Sequence, residues 1–212
     1  IGYQALTTLT SGAANTALGY KAGEELVNGA NNTIIGYQAG MNLDGGESGN
    51  TIIGKGAMQE INNDSQSNCV AVGQDALKGN VASDGDTSGV PVSSVAIGNQ
   101  AMAYTNVRGC TGNIAIGTNA MDSTFGGTQT DCIAIGRDSM HHASNQLNGV
   151  TGSIGIGFQS LNALTTGDHN VAIGYNSLLL TTIGHSNVAI GKGAGAGIVD
   201  GTYNTAVGHN AG

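Results

Sequence analysis

The chain has 212 residues, 37 of them glycine and one proline, and 9% carry a charge, against about 25% in an ordinary soluble domain. Its formal net charge is -8 with only six Lys and Arg, so it has no basic patch to neutralise nucleic-acid phosphates. Its apolar runs are far shorter than the roughly 18 residues that span a bilayer. We therefore predict neither nucleic-acid binding nor membrane insertion by this segment.

A nine-residue phrase recurs twelve times along the whole chain and reads most clearly as NVAIGYNSL at residues 170–178. Its central glycine returns every 17 to 25 residues. A repeat of this length predicts a solenoid, here an all-β parallel β-roll or β-helix of about twelve coils that forms one domain over residues 1–212. The repeat glycines are Gly2, Gly19, Gly36, Gly54, Gly73, Gly98, Gly117, Gly136, Gly157, Gly174, Gly191 and Gly208.

The three residues before each glycine predict a short strand. The residue next to the glycine is always a large aliphatic, and the residue two places earlier is β-branched, as in Ile173 and Val171. Because alternate residues of a strand share a face, we predict that these two columns line the core. The residue between them is small in most copies, with Ile34 and Ile52 as exceptions. We predict that this small column faces outward and makes the contact between subunits.

The positions around the strand carry further expectations. The invariant glycine predicts a positive φ or a close neighbouring backbone, and an Asn that opens most copies predicts a ladder of amides along the stack. A second small column, three residues after the glycine, predicts a second closely packed strand. The next column predicts gap-filling core side chains and holds Met58, Met102, Met121 and Met140.

The cysteines do not form a disulfide framework. Cys69 and Cys132 occupy the same column three coils apart, about 14 Å at the usual strand spacing, which is too far for a disulfide. A pairing of Cys110 with Cys132 stays open. Asp84 and Asp86 make only a fragment of a calcium loop. We predict no metal, no cofactor and no catalytic residues, because hydrolase and phosphate-loop motifs are also missing from the sequence.

One coil of this length holds only three or four sizeable apolar side chains, so a single roll has a thin core. We therefore expect oligomerisation. A homotrimer suits a single small-residue face, and a dimer stays open.

Four phrases carry a specific resemblance: NVAIGYNSL (170–178), SNVAIGKGAG (186–195), NTALGYKAG (15–23) and NIAIGTNAM (113–121). They resemble the head repeats of trimeric autotransporter adhesins and the repeats of phage-type tail fibres. IGYQAL (1–6) and NTIIGYQAG (32–40) favour the tail-fibre branch. The resemblance covers the whole chain and implies a homotrimeric β-roll that works as a rigid, adhesive shaft.

We therefore expect an extracellular, non-enzymatic fibre segment that contributes to host attachment, either in a virion tail fibre or, as the alternative, in the head of a bacterial surface adhesin. A third possibility is an ice-binding solenoid. That function predicts an outward Thr ladder in every coil, and the Thr column changes to Val or Ile between Val70 and Val188.

Candidate receptor contacts lie in the variable column after the glycine and in one longer connection. The column contributes Tyr3, Tyr20, Tyr37, Phe158 and Tyr175, and the connection contributes His141 and His142. A row of exposed rings can stack on sugar faces or pack against a partner, and packing over the adjacent coil is the structural alternative. The partner would be a cell-surface glycan or protein receptor. Residues 78–93 form the longest insertion between repeats, and insertions of this kind often form a binding surface.

Overall fold

The structure is a computed structural model that describes residues 1–60, 66–79, 93–103, 110–122, 128–141 and 147–212. Its eleven strands form one sheet in chain order, and every strand is parallel to the next. The described residues contain no helix. The strands are β1 Thr16–Leu18, β2 Thr33–Ile35, β3 Thr51–Ile53, β4 Val70–Val72, β5 Val95–Ile97, β6 Ile114–Ile116, β7 Ile133–Ile135, β8 Ile154–Ile156, β9 Val171–Ile173, β10 Val188–Ile190 and β11 Thr205–Val207.

This topology confirms the all-β parallel solenoid. Each strand residue pairs with the equivalent residue of the next copy, as Ala115 does with Ala134, so the columns read from the sequence are true ladders. There are eleven strands for twelve copies of the phrase, because the first copy, residues 1–6, forms turns and no strand.

The direction of the strand faces is the reverse of the prediction. The middle residue of each strand points into the coil, and Ala115, Ala134 and Ala172 are completely buried. The aliphatic residue beside the glycine points outward, with Leu18 47% exposed and Ile190 40% exposed. The β-branched first residue shares that outer face. The predictions that the aliphatic columns line the core and that the small column faces outward are therefore both wrong.

The reason is the volume available inside the coil. Gly155 shows what the middle position faces, since a Cβ built there lies 2.8 Å from Ser139 Oγ, 3.1 Å from Ser160 Oγ and 3.2 Å from Met140 Cγ. Met140 stands four residues after the repeat glycine of the preceding coil. Most copies place Leu or Met at that position, which leaves room for only a methyl group or a hydrogen on the strand. In most coils the core therefore pairs one large side chain with one small side chain, whereas Gly195 and Ala206 are both small.

The two exceptions in the middle column support this explanation. Ile34 follows a coil with Gly23 at the Leu or Met position, and a Cβ on Gly23 would come within 2.9 Å of Ile34 Cδ1. Likewise, a Cβ on Gly40 would come within 3.2 Å of Ile52 Cδ1. In these two cases the large side chain is on the strand and the glycine is in the turn. The combined volume of the turn position and the strand position is therefore similar to that in most other coils.

The segment after each glycine is a run of turns in the described residues, so the predicted second strand is wrong. Its small column is nonetheless buried, as at Ala39 and Ala57. The backbone of these turns bonds to neighbouring coils, for example from Gly23 N–H to the Ala39 carbonyl at 2.9 Å. The predicted gap-filling role of the methionines is confirmed, because all four are completely buried: Met58, Met102, Met121 and Met140.

The repeat glycines adopt the predicted positive φ, from +124° at Gly208 to +141° at Gly36. Successive glycines also lie close together, since a Cβ on Gly117 would lie 2.7 Å from the carbonyl carbon and oxygen of Gly136. Positive φ and close approach both require glycine here. The amide ladder is confirmed as well. Asn187 Nδ2 donates to Asn170 Oδ1 at 3.0 Å and to the Gly201 carbonyl at 2.7 Å.

Candidate functional site

The outer surface of the sheet carries two parallel columns of apolar and Thr side chains, which we call the outer aliphatic face. No charged residue interrupts it. Eleven strands at a spacing of about 4.8 Å make a strip about 48 Å long. Partly exposed apolar surface that extends over such a length marks interaction sites on soluble proteins. The first column is Thr16, Thr33, Thr51, Val70, Val95, Ile114, Ile133, Ile154, Val171, Val188 and Thr205, and the second is Leu18, Ile35, Ile53, Val72, Ile97, Ile116, Ile135, Ile156, Ile173, Ile190 and Val207.

The column of residues that directly follows the repeat glycine borders the outer aliphatic face. We call this column the ridge. Every ridge residue is exposed except Phe158, which is half-buried, so the predicted solvent-facing column is confirmed. The ridge is Tyr3, Tyr20, Tyr37, Lys55, Gln74, Asn99, Thr118, Arg137, Phe158, Tyr175, Lys192 and His209.

The rings of the ridge stack on one another. Tyr20 lies between Tyr3 and Tyr37, with centroid distances of 5.6 and 5.2 Å and interplanar angles of 11° and 13°. Phe158 and Tyr175 stack at 5.0 Å. These rings therefore pack over the adjacent coils, as predicted by the structural alternative to a receptor contact. Because neighbouring rings cover these faces, an external ligand would meet ring edges and phenol hydroxyls.

Cations extend the second stack at both ends. The Arg137 guanidinium lies 4.3 Å from the Phe158 centroid, and Lys192 Nζ lies 5.8 Å from the Tyr175 centroid. Such cation–π contacts hold a flexible basic side chain over a ring. The sequence prediction included the two rings and missed the two cations, although all four share the ridge column.

The aromatic candidates fall into two separate groups. Six coils separate Tyr37 from Phe158, a distance of about 29 Å along the stack, so the two ring groups do not form one site. His141 is half-buried, and its carbonyl accepts a hydrogen bond from Asn162 Nδ2 at 2.8 Å. His142, Asp84 and Asp86 lie outside the described residues.

The N-terminal stack has one cation beside it. Lys21 Nζ lies 5.8 Å from the Tyr20 centroid and 2.9 Å from Glu24 Oε2. The side-chain hydrogen bond to Glu24 raises the pKa of the Lys21 ammonium. The Lys21 ammonium therefore has both a ring and a carboxylate beside it.

None of the three cysteines forms a disulfide, and all three are buried. Burial raises the pKa of the Cys110 thiol to about 12 and that of Cys132 to about 11, and it also raises the pKa of Cys69. Thiols of this kind are poor nucleophiles near neutral pH because little thiolate forms.

The described part of the chain contains no group of three or more His, Cys, Asp or Glu side chains placed to hold a metal ion. None of its residues forms a helix long and apolar enough to cross a membrane.

No protein-family model matches the chain, and no curated protein or solved structure shows significant similarity to it.

Proposed function

We propose that the chain is a non-enzymatic segment of an extracellular attachment fibre of the phage tail-fibre type, in which three copies pack through the outer aliphatic face. The observation that carries the proposal is this face: two uncharged columns of aliphatic and Thr side chains parallel to the coil stack. The resemblance of the repeats to tail-fibre repeats supports the same function. Because the small column is buried and the aliphatic columns lie on the outer face, we now assign the subunit contact to the aliphatic columns.

The dimensions of the face fit an interface between copies. With a length of about 48 Å and a width of about 10 Å, it covers roughly 500 Å², which is within the range of functional patches on soluble proteins. Burial of apolar surface stabilises an assembly by about 25 cal/mol per Å². A strip only two side chains wide can meet two identical strips around a threefold axis parallel to the stack. The three strips then form a second core along the axis of the fibre.

The assembly is tested by the mass in solution, measured by analytical ultracentrifugation at micromolar concentration. We expect three times the chain mass of 21.0 kDa. The Ile116→Asp/Ile135→Asp variant places two carboxylates on the outer aliphatic face and is expected to be a folded monomer. A matched control is Leu180→Asp/Ile183→Asp, because these residues are 50% and 57% exposed outside that face. The control is expected to keep the wild-type mass.

A monomeric wild type would contradict the assembly, as would an equal effect of the two double variants. Attachment itself is tested by binding of the labelled protein to candidate host cells, and an assembled fibre that binds no cell would contradict the attachment function. The bacterial adhesin head remains the alternative. The encoded sequence on either side separates the two: a membrane anchor indicates an adhesin, and a particle-attachment or chaperone domain indicates a tail fibre.

Ice binding has one observation in its favour, since the Thr column lies on the outer face. It is populated by Thr16, Thr33 and Thr51 at one end and by Thr205 at the other. Seven consecutive Val or Ile side chains separate these groups. Thermal hysteresis of ice growth in the presence of the protein would favour this function over attachment.

A further inference from the structure

The basic residues of this acidic chain are concentrated on the ridge. Three of the six Lys and Arg, Lys55, Arg137 and Lys192, are ridge residues, and Lys21 is in the neighbouring column. The ridge itself contains no Asp or Glu, and the neighbouring column adds Asp75 and Asp138. Of the 14 acidic residues, twelve therefore lie elsewhere. The ridge is locally basic on a molecule whose net charge is -8.

The part of the ridge from Arg137 to Lys192 joins these charges to the second ring stack, and we call it the basic ring stretch. It occupies four consecutive coils in the order Arg137, Phe158, Tyr175 and Lys192. The Arg137 side chain is 64% exposed, and its ion pair with Asp138 is long, at 3.7 Å from Nη1 to Oδ2. The guanidinium therefore keeps donors available to a ligand. Three coil spacings separate the two cations, about 14 Å.

We propose that the basic ring stretch binds an acidic glycan, a carboxylate-bearing sugar chain that lies along the coil stack. The proposal rests on the attachment function proposed above and specifies its receptor. A guanidinium donates two parallel hydrogen bonds to a carboxylate, and the Phe158 ring fixes its position. Lys192 provides a second positive charge farther along the chain. Between them, ring edges offer apolar contact to the sugar, and the Tyr175 hydroxyl can donate or accept a hydrogen bond.

The spacing of the cations favours a sparsely charged polymer. A nucleic-acid strand carries one phosphate about every 3.4 Å, so about four negative charges would face the two cations of the stretch. The net charge of the chain would repel the remainder. A polysaccharide with one carboxylate on every second sugar spaces its charges more widely than a nucleic-acid strand and comes closer to matching the two cations.

The experiment measures binding to two probes of known charge, oligogalacturonate and α2,8-linked oligosialic acid. The neutral comparison is oligogalacturonate with its carboxyl groups reduced. We expect the wild type to bind at least one acidic oligomer, with an affinity that falls as salt increases, and to bind the reduced oligomer at least tenfold more weakly. Arg137→Gln/Lys192→Gln should weaken acidic binding at least tenfold, whereas Arg137→Lys, which keeps only the charge, should weaken it by a smaller factor.

Lys78→Gln provides a matched control for Lys192→Gln. It removes the same charge from a lysine outside the ridge, where Lys78 Nζ lies 3.2 Å from Glu60 Oε1. We expect Lys192→Gln to weaken binding threefold or more and Lys78→Gln to change it by less than twofold. Equal losses in the two variants would overturn the proposal.

Four other results would also overturn it: no binding of either acidic oligomer, equal binding of the reduced oligomer, unchanged binding by Arg137→Gln/Lys192→Gln, or tighter binding of single-stranded oligothymidine that this double variant abolishes. These failures differ from failure of the proposed function. An assembled fibre that binds cells equally well with and without both cations refutes only the glycan site. A monomeric protein that binds the acidic oligomer through the ridge refutes only the assembly.

Discussion

A size exchange between Gly23 and Ile34 tests which strand face lines the core. Gly23→Leu would force a large side chain toward Ile34, because even a Cβ lies 2.9 Å from Ile34 Cδ1 and 2.9 Å from Leu6 Cδ2. Ile34→Ala would leave a cavity in the opposite wall. The two changes together recreate the combination of a large turn residue and a small strand residue that most other coils use. We therefore expect the double variant to recover most of the lost stability.

The magnitudes follow from the packing. Ile34→Ala should cost about 2 to 5 kcal/mol, as large-to-small core changes do. Gly23→Leu should cost about 1 to 3 kcal/mol for overpacking and about 1 kcal/mol more because its φ is +60°, a left-handed conformation that an L-residue adopts at a cost. The double variant keeps roughly the native core volume. We expect it to lie within about 2 kcal/mol of the wild type, which corresponds to a coupling of at least about 2 kcal/mol.

The free energy of unfolding is measured by urea denaturation of the wild type, the two single variants and the double variant. Amide hydrogen exchange in the first coils accompanies it, because solenoids can lose stability locally. The control combines Gly23→Leu with Ile52→Ala, since the atoms nearest to a Cβ on Gly23 do not include Ile52. We expect the effects in that pair to add. Additive effects in the Gly23 and Ile34 pair as well, within about 0.5 kcal/mol, would refute the inward orientation of the middle column.

Two further predictions concern the glycine column and the buried thiols. Gly117→Ala should destabilise the chain by about 2 to 6 kcal/mol in urea denaturation, the sum of backbone strain and overpacking. Gly208→Ala should cost only the strain, because its φ of +124° is close to the +134° of Gly117 and the nearest atom to its Cβ is 3.9 Å away; equal losses would contradict the close contact between glycines. The raised pKa of Cys110 means that its contribution to stability is complete below its ordinary pKa of 9.0 and is lost as pH rises toward about 12. In denaturation curves between pH 8 and pH 11, Cys110→Ala should therefore remove up to about 1.4 kcal/mol per pH unit of the alkaline decline above pH 9, and an unchanged decline would contradict the burial of this thiol.

The sequence predicted the repeat unit and its register correctly, because both follow from local backbone requirements. A residue with a φ near +135° has to be glycine, so the position recurs visibly in every coil. The Asn ladder is visible for a similar reason, since each amide in it satisfies backbone groups of the next coil. Both features can be recognised in the sequence once equivalent residues of successive coils are assumed to stack.

The direction of the strand faces was not predictable from alternation. Alternation shows that Val171 and Ile173 share a face and that Ala172 lies on the other, but both faces of this strand are apolar. The larger side chains were therefore assigned to the core. The sequence contains only a partial signal, because Ile34 and Ile52 each follow a coil in which the Leu or Met position is glycine, and so does Ala206, after Gly195. A comparison of the two columns would have indicated that they share one volume.

For the candidate binding residues, too, the sequence predicted one property, exposure, and did not predict another, the contacts between side chains. The variable column after the glycine was identified as exposed, and it contains every residue of the basic ring stretch. That the Phe158 and Tyr175 rings cover each other's faces and hold Arg137 and Lys192 at their ends is a matter of side-chain conformation. The sequence position alone does not specify such contacts.

By itself, then, the sequence determined the length of the coil, the stacking of equivalent residues and the positions that require a left-handed backbone, because each depends on residues close together in the chain. Only the tertiary structure decided which wall of the strand closes the core and which wall remains available for other molecules. The physical reason is that the space inside a coil is set by side chains about one repeat away. The amount of space left by a neighbouring Leu or Met determines whether Ala or Ile fits, and the remaining large aliphatic side chains then lie outside.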